Sequence, residues 1–74
     1  MFVKYRNNNG DSNVDMYEIG NNYISVIFYG SKRIYTYTYS SAGIRHIENM
    51  KALALKGKGL NSYINNYCRK MFIK

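Results

Sequence analysis

Two runs of alternating β-branched and aromatic residues flank a glycine. Tyr23-Ile24-Ser25-Val26-Ile27-Phe28-Tyr29 leads in, and Arg33-Ile34-Tyr35-Thr36-Tyr37-Thr38-Tyr39 returns with a period of two. Such residues fit a pleated, half-buried surface, so both runs read as strands. Gly30-Ser31 between them suits a two-residue hairpin turn of the Gly-first type. That turn pairs Tyr29 with Lys32, Phe28 with Arg33, Val26 with Tyr35 and Ile24 with Tyr37. Register then fixes the faces, because successive side chains point to opposite sides. Ile24, Val26, Phe28, Tyr35 and Tyr37 form the core face. Tyr23, Ser25, Ile27, Tyr29, Ile34, Thr36 and Thr38 form the other, which is still half apolar. A three-residue turn swaps the partner faces.

The flanks extend this hairpin. Val14 to Ile19 reads as a further strand, and Gly20-Asn21-Asn22 as the turn after it. Asn7 to Asn13 is a loop, since Asn, Gly, Asp and Ser compete with regular backbone pairing. Phe2 to Arg6 is a short candidate strand whose place in the sheet stays open. Helical periodicity begins after Ser40-Ser41, either of which can cap a helix. Ile44, Ile47, Met50 and Ala54 fall near one stripe, with Leu53 beside it. Gly57 ends that helix as a C-terminal cap. Asn61 then reads as the N-cap of a second helix with Leu60, Tyr63, Ile64, Tyr67, Cys68 and Met71 on its apolar stripe.

Strands followed by helices imply an α+β domain, a small antiparallel meander of three to four strands with two C-terminal helices packed on one face. The whole chain forms one unit: an N-terminal strand and Asn-rich loop over 1–13, the meander over 14–39 and the helices over 41–72. At 74 residues, folding hides only about 60–65% of the unfolded chain's surface. Cys68 and His46 are the sole residues of their kinds, so neither a disulfide nor a Cys/His zinc cluster can staple the fold. Packing of nine tyrosines and three phenylalanines must stand in for them. A lone thiol without a secretory signal points to the cytoplasm. No apolar stretch is long enough to span a bilayer.

At this point the residues resemble the KTSC family, short domains found at the C-terminus of some lysyl-tRNA synthetases and as stand-alone bacterial or phage proteins. The resemblance is carried by Ile24-x-Val26-x-Phe28, Gly30 and Tyr35-x-Tyr37. It continues in Ala54-Leu55-Lys56-Gly57-Lys58-Gly59-Leu60-Asn61-Ser62-Tyr63-Ile64, followed by Tyr67, and covers roughly Val14 to Phe72. Tyr39-Ser40-Ser41 stands where the family often carries Val-Pro. The resemblance implies the same α+β fold and, by association, RNA binding.

Charge gives a partner class. Eleven Lys and Arg stand against four Asp and Glu, for a net charge of +7. After Glu48 there is no acid, while Lys51, Lys56, Lys58, Arg69, Lys70 and Lys74 follow. A segment of one sign attracts polyanions; its plainer role is a solvated surface. The Lys56-Gly57-Lys58-Gly59 turn is the candidate anion site, because glycines let backbone N–H groups approach an oxyanion and a helix N-terminus follows. Asn61, Arg69 and Lys70 complete that set. A simple helix-to-helix turn is the alternative. Tyr35 and Tyr37 belong to the core, whereas Tyr23, Tyr29 and Tyr39 are candidates for stacking a base.

Nucleophilic catalysis needs a nucleophile, a base and an orienting group. Cys68 falls on a buried stripe and His46 on a solvent-facing one, so no such site is expected. Neither is a metal or cofactor. The expected function is a non-catalytic binding module for RNA, an oligonucleotide or a small anionic nucleotide, such as a signal molecule sequestered by a phage-type anti-defence protein. The alternative is a protein-interaction module or homo-oligomer that uses the Tyr/Ile sheet face.

Overall fold

A computed structural model describes residues 1–8, 10 and 12–73. Asn9 and Asp11 of the Asn-rich loop and Lys74 of the basic tail lie outside the described residues. Four strands, β1 (Val3–Lys4), β2 (Val14–Ile19), β3 (Tyr23–Phe28) and β4 (Ile34–Thr38), form one antiparallel meander in chain order. The N-terminal segment joins the sheet through Val3 opposite Tyr17 and Lys4 opposite Met16. A bulge at Asp15 lets its carbonyl accept the Tyr5 N–H at 2.9 Å.

The β3–β4 register is the expected one, with Val26 opposite Tyr35 and Ile24 opposite Tyr37. The turn differs. Ser31 N–H donates to the Phe28 carbonyl at 3.1 Å, which encloses Tyr29-Gly30 rather than Gly30-Ser31. Gly30 takes φ 77°, a left-handed backbone that suits glycine. Arg33 N–H bonds the Ser31 hydroxyl at 3.1 Å, so the ladder stops at Ile27–Ile34 and the outer two expected pairs do not form.

Past the sheet, the chain makes a single turn, α1 (Tyr39–Ala42), then α2 (Ile44–Lys56). Neither serine caps as expected. Thr38, still extended at φ −120°, is the N-cap: its hydroxyl accepts the Ser41 N–H, and the Ser41 hydroxyl accepts the Thr38 N–H. Gly43 separates the two helices. Gly57 caps α2 as read, at φ 80°. The last helix starts as α3 (Leu60–Tyr63) and continues as a π-helical turn over Ile64–Cys68.

The helices pack on the face that carries Ile24, Val26 and Tyr37. These three are buried with Tyr5, Val14 and Tyr17 of the sheet side, with Ile47, Met50 and Ala54 of α2, and with Leu60, Ile64 and Cys68 of the last helix. Ile44, expected on the buried stripe, is 61% exposed, because it opens α2 beyond the sheet's cover. Among the described residues no helix covers the opposite sheet face. Met16, Ile27 and Ile34 form an apolar row across it.

Candidate functional site

Residues spaced by four form rows along the last helix, and three of these rows bear on the site. Leu60, Ile64 and Cys68 form the buried row. Asn61, Asn65 and Arg69 form the next and face an open cleft. Tyr63 and Tyr67 form the third, with ring centroids 4.9 Å apart. In an α-helix of 3.6 residues per turn, a step of four drifts by about 40°. The π-helical turn winds less per residue and offsets that drift, so the rows stay aligned.

The cleft holds about 280 Å³ between this helix and the end of the sheet. Phe28, Tyr35 and Tyr37 supply an aromatic wall, Asn13 one rim, and Asn61, Ile64, Asn65 and Arg69 the other side. The wall is held by edge-to-face contacts. Phe28 meets Tyr35 at 5.4 Å between centroids, and Phe72 braces Tyr35 at 4.8 Å and Tyr37 at 6.1 Å. Phe72 is positioned in turn by the Ile73 N–H, which donates to the Thr36 carbonyl at 2.8 Å. The Arg33 guanidinium lies 5.0 Å over the Tyr35 ring and 5.2 Å over Phe72. Burial pushes the Tyr37 hydroxyl up to about 12, and burial also raises the Cys68 thiol behind it.

At the glycine bend, backbone groups of Gly57 and of the residues before it are already bonded within the fold. Gly57 donates its N–H to the carbonyls of Leu53 and Ala54. The carbonyls of Leu55, Lys56 and Gly57 are met by the N-terminal segment: Asn8 N–H donates to Gly57 O at 2.7 Å, Asn8 Nδ2 to Lys56 O at 2.9 Å, and the Arg6 guanidinium to Leu55 O. Gly59 precedes α3, and the next N–H, of Leu60, goes to the Tyr5 hydroxyl. Asn61 is no N-cap, since the helix already begins at Leu60; its side chain turns to the cleft instead. Lys56 and Lys58 are exposed at this bend, at the opposite end of the last helix from Arg69 and Lys70. Of the expected anion-binding set, Asn61 and Arg69 come together in the cleft. Lys56, Gly57, Lys58 and Gly59 do not join them.

The three candidate stacking tyrosines form no common platform. Tyr23 folds back over Gly20 and donates to Glu18 at 2.9 Å. Tyr29, just past the far end of β3 and so about 20 Å away, accepts a hydrogen bond from Lys4 at 2.7 Å. Tyr39 packs against the core and donates to Glu48 at 2.6 Å, which holds the Glu48 carboxyl below its ordinary range, with Lys51 adding to the effect. Lys51 is engaged there too, and it also donates to the Asn21 carbonyl.

A different aromatic group stands on the far side of the last helix. His46, expected to face solvent, is half-buried, with Nδ1 2.7 Å from the Tyr63 hydroxyl. Asn49 Nδ2 donates to the same hydroxyl at 3.0 Å. The imidazole lies nearly parallel to Tyr67, at 23° and 6.1 Å. The spacing of four that joins Tyr63 to Tyr67 was visible in the sequence, but it sat inside a broader apolar stripe. Asn65 and Asn13 carried no signal of their own. Among the described residues no group of three His, Cys, Asp or Glu side chains is placed to hold a metal ion, and no helix is long and apolar enough to cross a membrane. No protein-family model matches this chain, and no curated protein or solved structure does either.

Proposed function

We propose that this protein is a small non-catalytic binding module that holds an anionic, nucleotide-type ligand in the cleft. One observation carries the reading: the Asn61, Asn65 and Arg69 row faces the Phe28, Tyr35 and Tyr37 wall across a gap of about 280 Å³. A base is flat and apolar on its faces, and the aromatic wall suits it. Its edge carries donors and acceptors side by side, and a primary amide offers both. A guanidinium binds phosphate through a planar fork of N–H groups. The volume lies just below the usual range for small-molecule sites, about 300–1,000 Å³. That size favours one base with its phosphate over a larger cofactor. The net charge of +7 raises the local concentration of any such anion. The KTSC resemblance supports the same place, because Phe28, Tyr35, Tyr37, Asn61 and Ile64, which carry it, line this cleft. A cytoplasmic setting fits both the lone thiol and a nucleotide ligand.

Titration with UMP, AMP, GMP and inorganic phosphate, followed by amide resonances, tests the reading. The expected result is that at least one nucleotide shifts Asn61, Asn65 and Arg69, and that Arg69→Ala weakens it by about tenfold, the worth of one charged hydrogen bond. A Lys56→Ala/Lys58→Ala double variant should bind nearly as well as the parent. If no nucleotide moves those resonances, or the double variant loses as much as Arg69→Ala, the cleft is not the site.

A second reading has its own observation. Ile34 is 52% exposed at the end of the Met16, Ile27, Ile34 row, on the sheet face without helices. That face suits a protein partner or a second copy of the chain. Light scattering over a concentration series separates a homo-oligomer from a monomer, and Ile34→Lys should dissociate one built on this face.

A further inference from the structure

We infer that the ligand is a single nucleic-acid strand of several nucleotides, and that the Tyr67–His46 pair stacks a second base outside the cleft. The inference rests on the cleft reading above and extends it across the last helix. Four observations point there.

Tyr67 is 57% exposed, yet its ring is held. His46 lies nearly parallel to it, and Tyr63 supports both, with its own hydroxyl fixed by His46 and Asn49. A ring fixed from behind and open in front loses little freedom when a base stacks on it. The cleft row and the tyrosine row stand on the same helix, Leu60–Cys68 with Arg69 as its C-cap. The ridge between them is the row Ser62, Asn66 and Lys70, all exposed. A helix with its side chains is about 10–12 Å across, so a strand leaving the cleft crosses this ridge within a few nucleotides. The crossing is cationic: Arg69 stands on the cleft side, Lys70 on the ridge, and no acid follows Glu48 in the chain. An aromatic ring beside a positive track is how sequence-tolerant single-strand binders hold successive bases. An acidic protein would meet the charges, but only a strand brings a flat base with every phosphate, in step with the Arg69, Lys70 and Tyr67 spacing.

The test compares UMP with the tetranucleotide rU4, and dTMP with dT4, on the parent, Tyr67→Ala and Tyr67→Phe. Stacking one more base should tighten tetranucleotide binding about 5- to 150-fold over the mononucleotide. Tyr67→Ala should remove that gain and leave mononucleotide affinity unchanged, and Tyr67→Phe should restore it. Lys70→Ala should lower the slope of log affinity against log salt by about 0.7 for the tetranucleotide. A gain with either strand supports the inference, and the stronger of the two names the sugar. If the mononucleotide binds and depends on Arg69, but the tetranucleotide gains nothing or Tyr67→Ala costs nothing, the cleft reading stands and this inference is wrong. If Tyr67→Ala weakens both ligands equally, the platform is not a separate station and the inference is also wrong. If neither length binds, both fall.

Discussion

The backbone N–H of Asn8 donates to the carbonyl of Gly57 at 2.7 Å, which ties the loop after β1 to the bend between α2 and α3. With the Asn8 side chain on the Lys56 carbonyl, this contact occupies the carbonyls at the end of α2. It also sets what Gly57 can be. At φ 80° a Cβ there meets the Cβ of Arg6 at 2.9 Å, and side chains rarely adopt that backbone. Gly57→Ala should therefore destabilise the fold by about 1–3 kcal/mol, from left-handed strain plus the displaced N-terminal segment. Urea denaturation measures it. A loss under about 0.5 kcal/mol would mean that the segment does not rest on the bend.

A second prediction concerns the exit from the sheet. Thr38 and Ser41 bond each other reciprocally at 2.9 Å and turn the chain out of β4 into α1. Thr38→Ala should cost about 1 kcal/mol, the usual worth of an N-cap hydroxyl. Thr38→Ser keeps the oxygen and should stay within about 0.5 kcal/mol of the parent. Equal losses in the two variants would assign the effect to the methyl group and the strand, and remove the cap from the account.

Much of this fold was legible. The faces of Tyr23–Phe28 and Ile34–Thr38 came out as read although the turn is centred one residue earlier, because the β3–β4 pairing keeps the same register. Gly57 announced the end of α2 in the same way. What the sequence could not carry was long-range. Arg6 and Asn8 reach residues some fifty positions away, and no local pattern shows that they cover the Lys56–Gly59 bend. The site suffered most. Glycines beside lysines suggest donated N–H groups, but the fold decides which are free, and here the helix cap takes that of Gly57. Asn61 reads in sequence as a cap and Arg69 as part of a charged tail; only the folded helix shows them in one row facing the aromatic wall. The π-helical turn that aligns this row has no signature in residue type.

Burial of Cys68 gives a third prediction. Its side chain is fully buried against the sheet, and burial raises its thiol above the ordinary 9.0. Reaction with a disulfide reagent needs both access and thiolate. The native protein should therefore react at least about a hundredfold more slowly than the chain in denaturant, at a rate set by opening of the last helix. Reaction as fast as a free thiol would mean that the π-helical turn does not stay packed, and the alignment of the cleft row would go with it.

The Tyr37 hydroxyl gives the last prediction, through alkaline pH. Its native value is pushed up to about 12 from 10.0, first by burial and then by the neighbouring Cys68 and Tyr35. A raised native value means that the unfolded chain loses its proton first as pH rises. Below about pH 10 both states hold the proton and the group makes no difference. Between pH 10 and 12 the unfolded state ionises while the native state does not, so stability falls. Two units correspond to roughly 2–3 kcal/mol at most. Tyr37→Phe cannot ionise and should lose less stability than the parent over that window, read by thermal melts at pH 9, 10.5 and 11.5. Parallel losses in the two proteins would show that burial does not hold the Tyr37 phenol protonated. The wall against which a base is proposed to lie would then be wetter than its contacts with Phe72 imply.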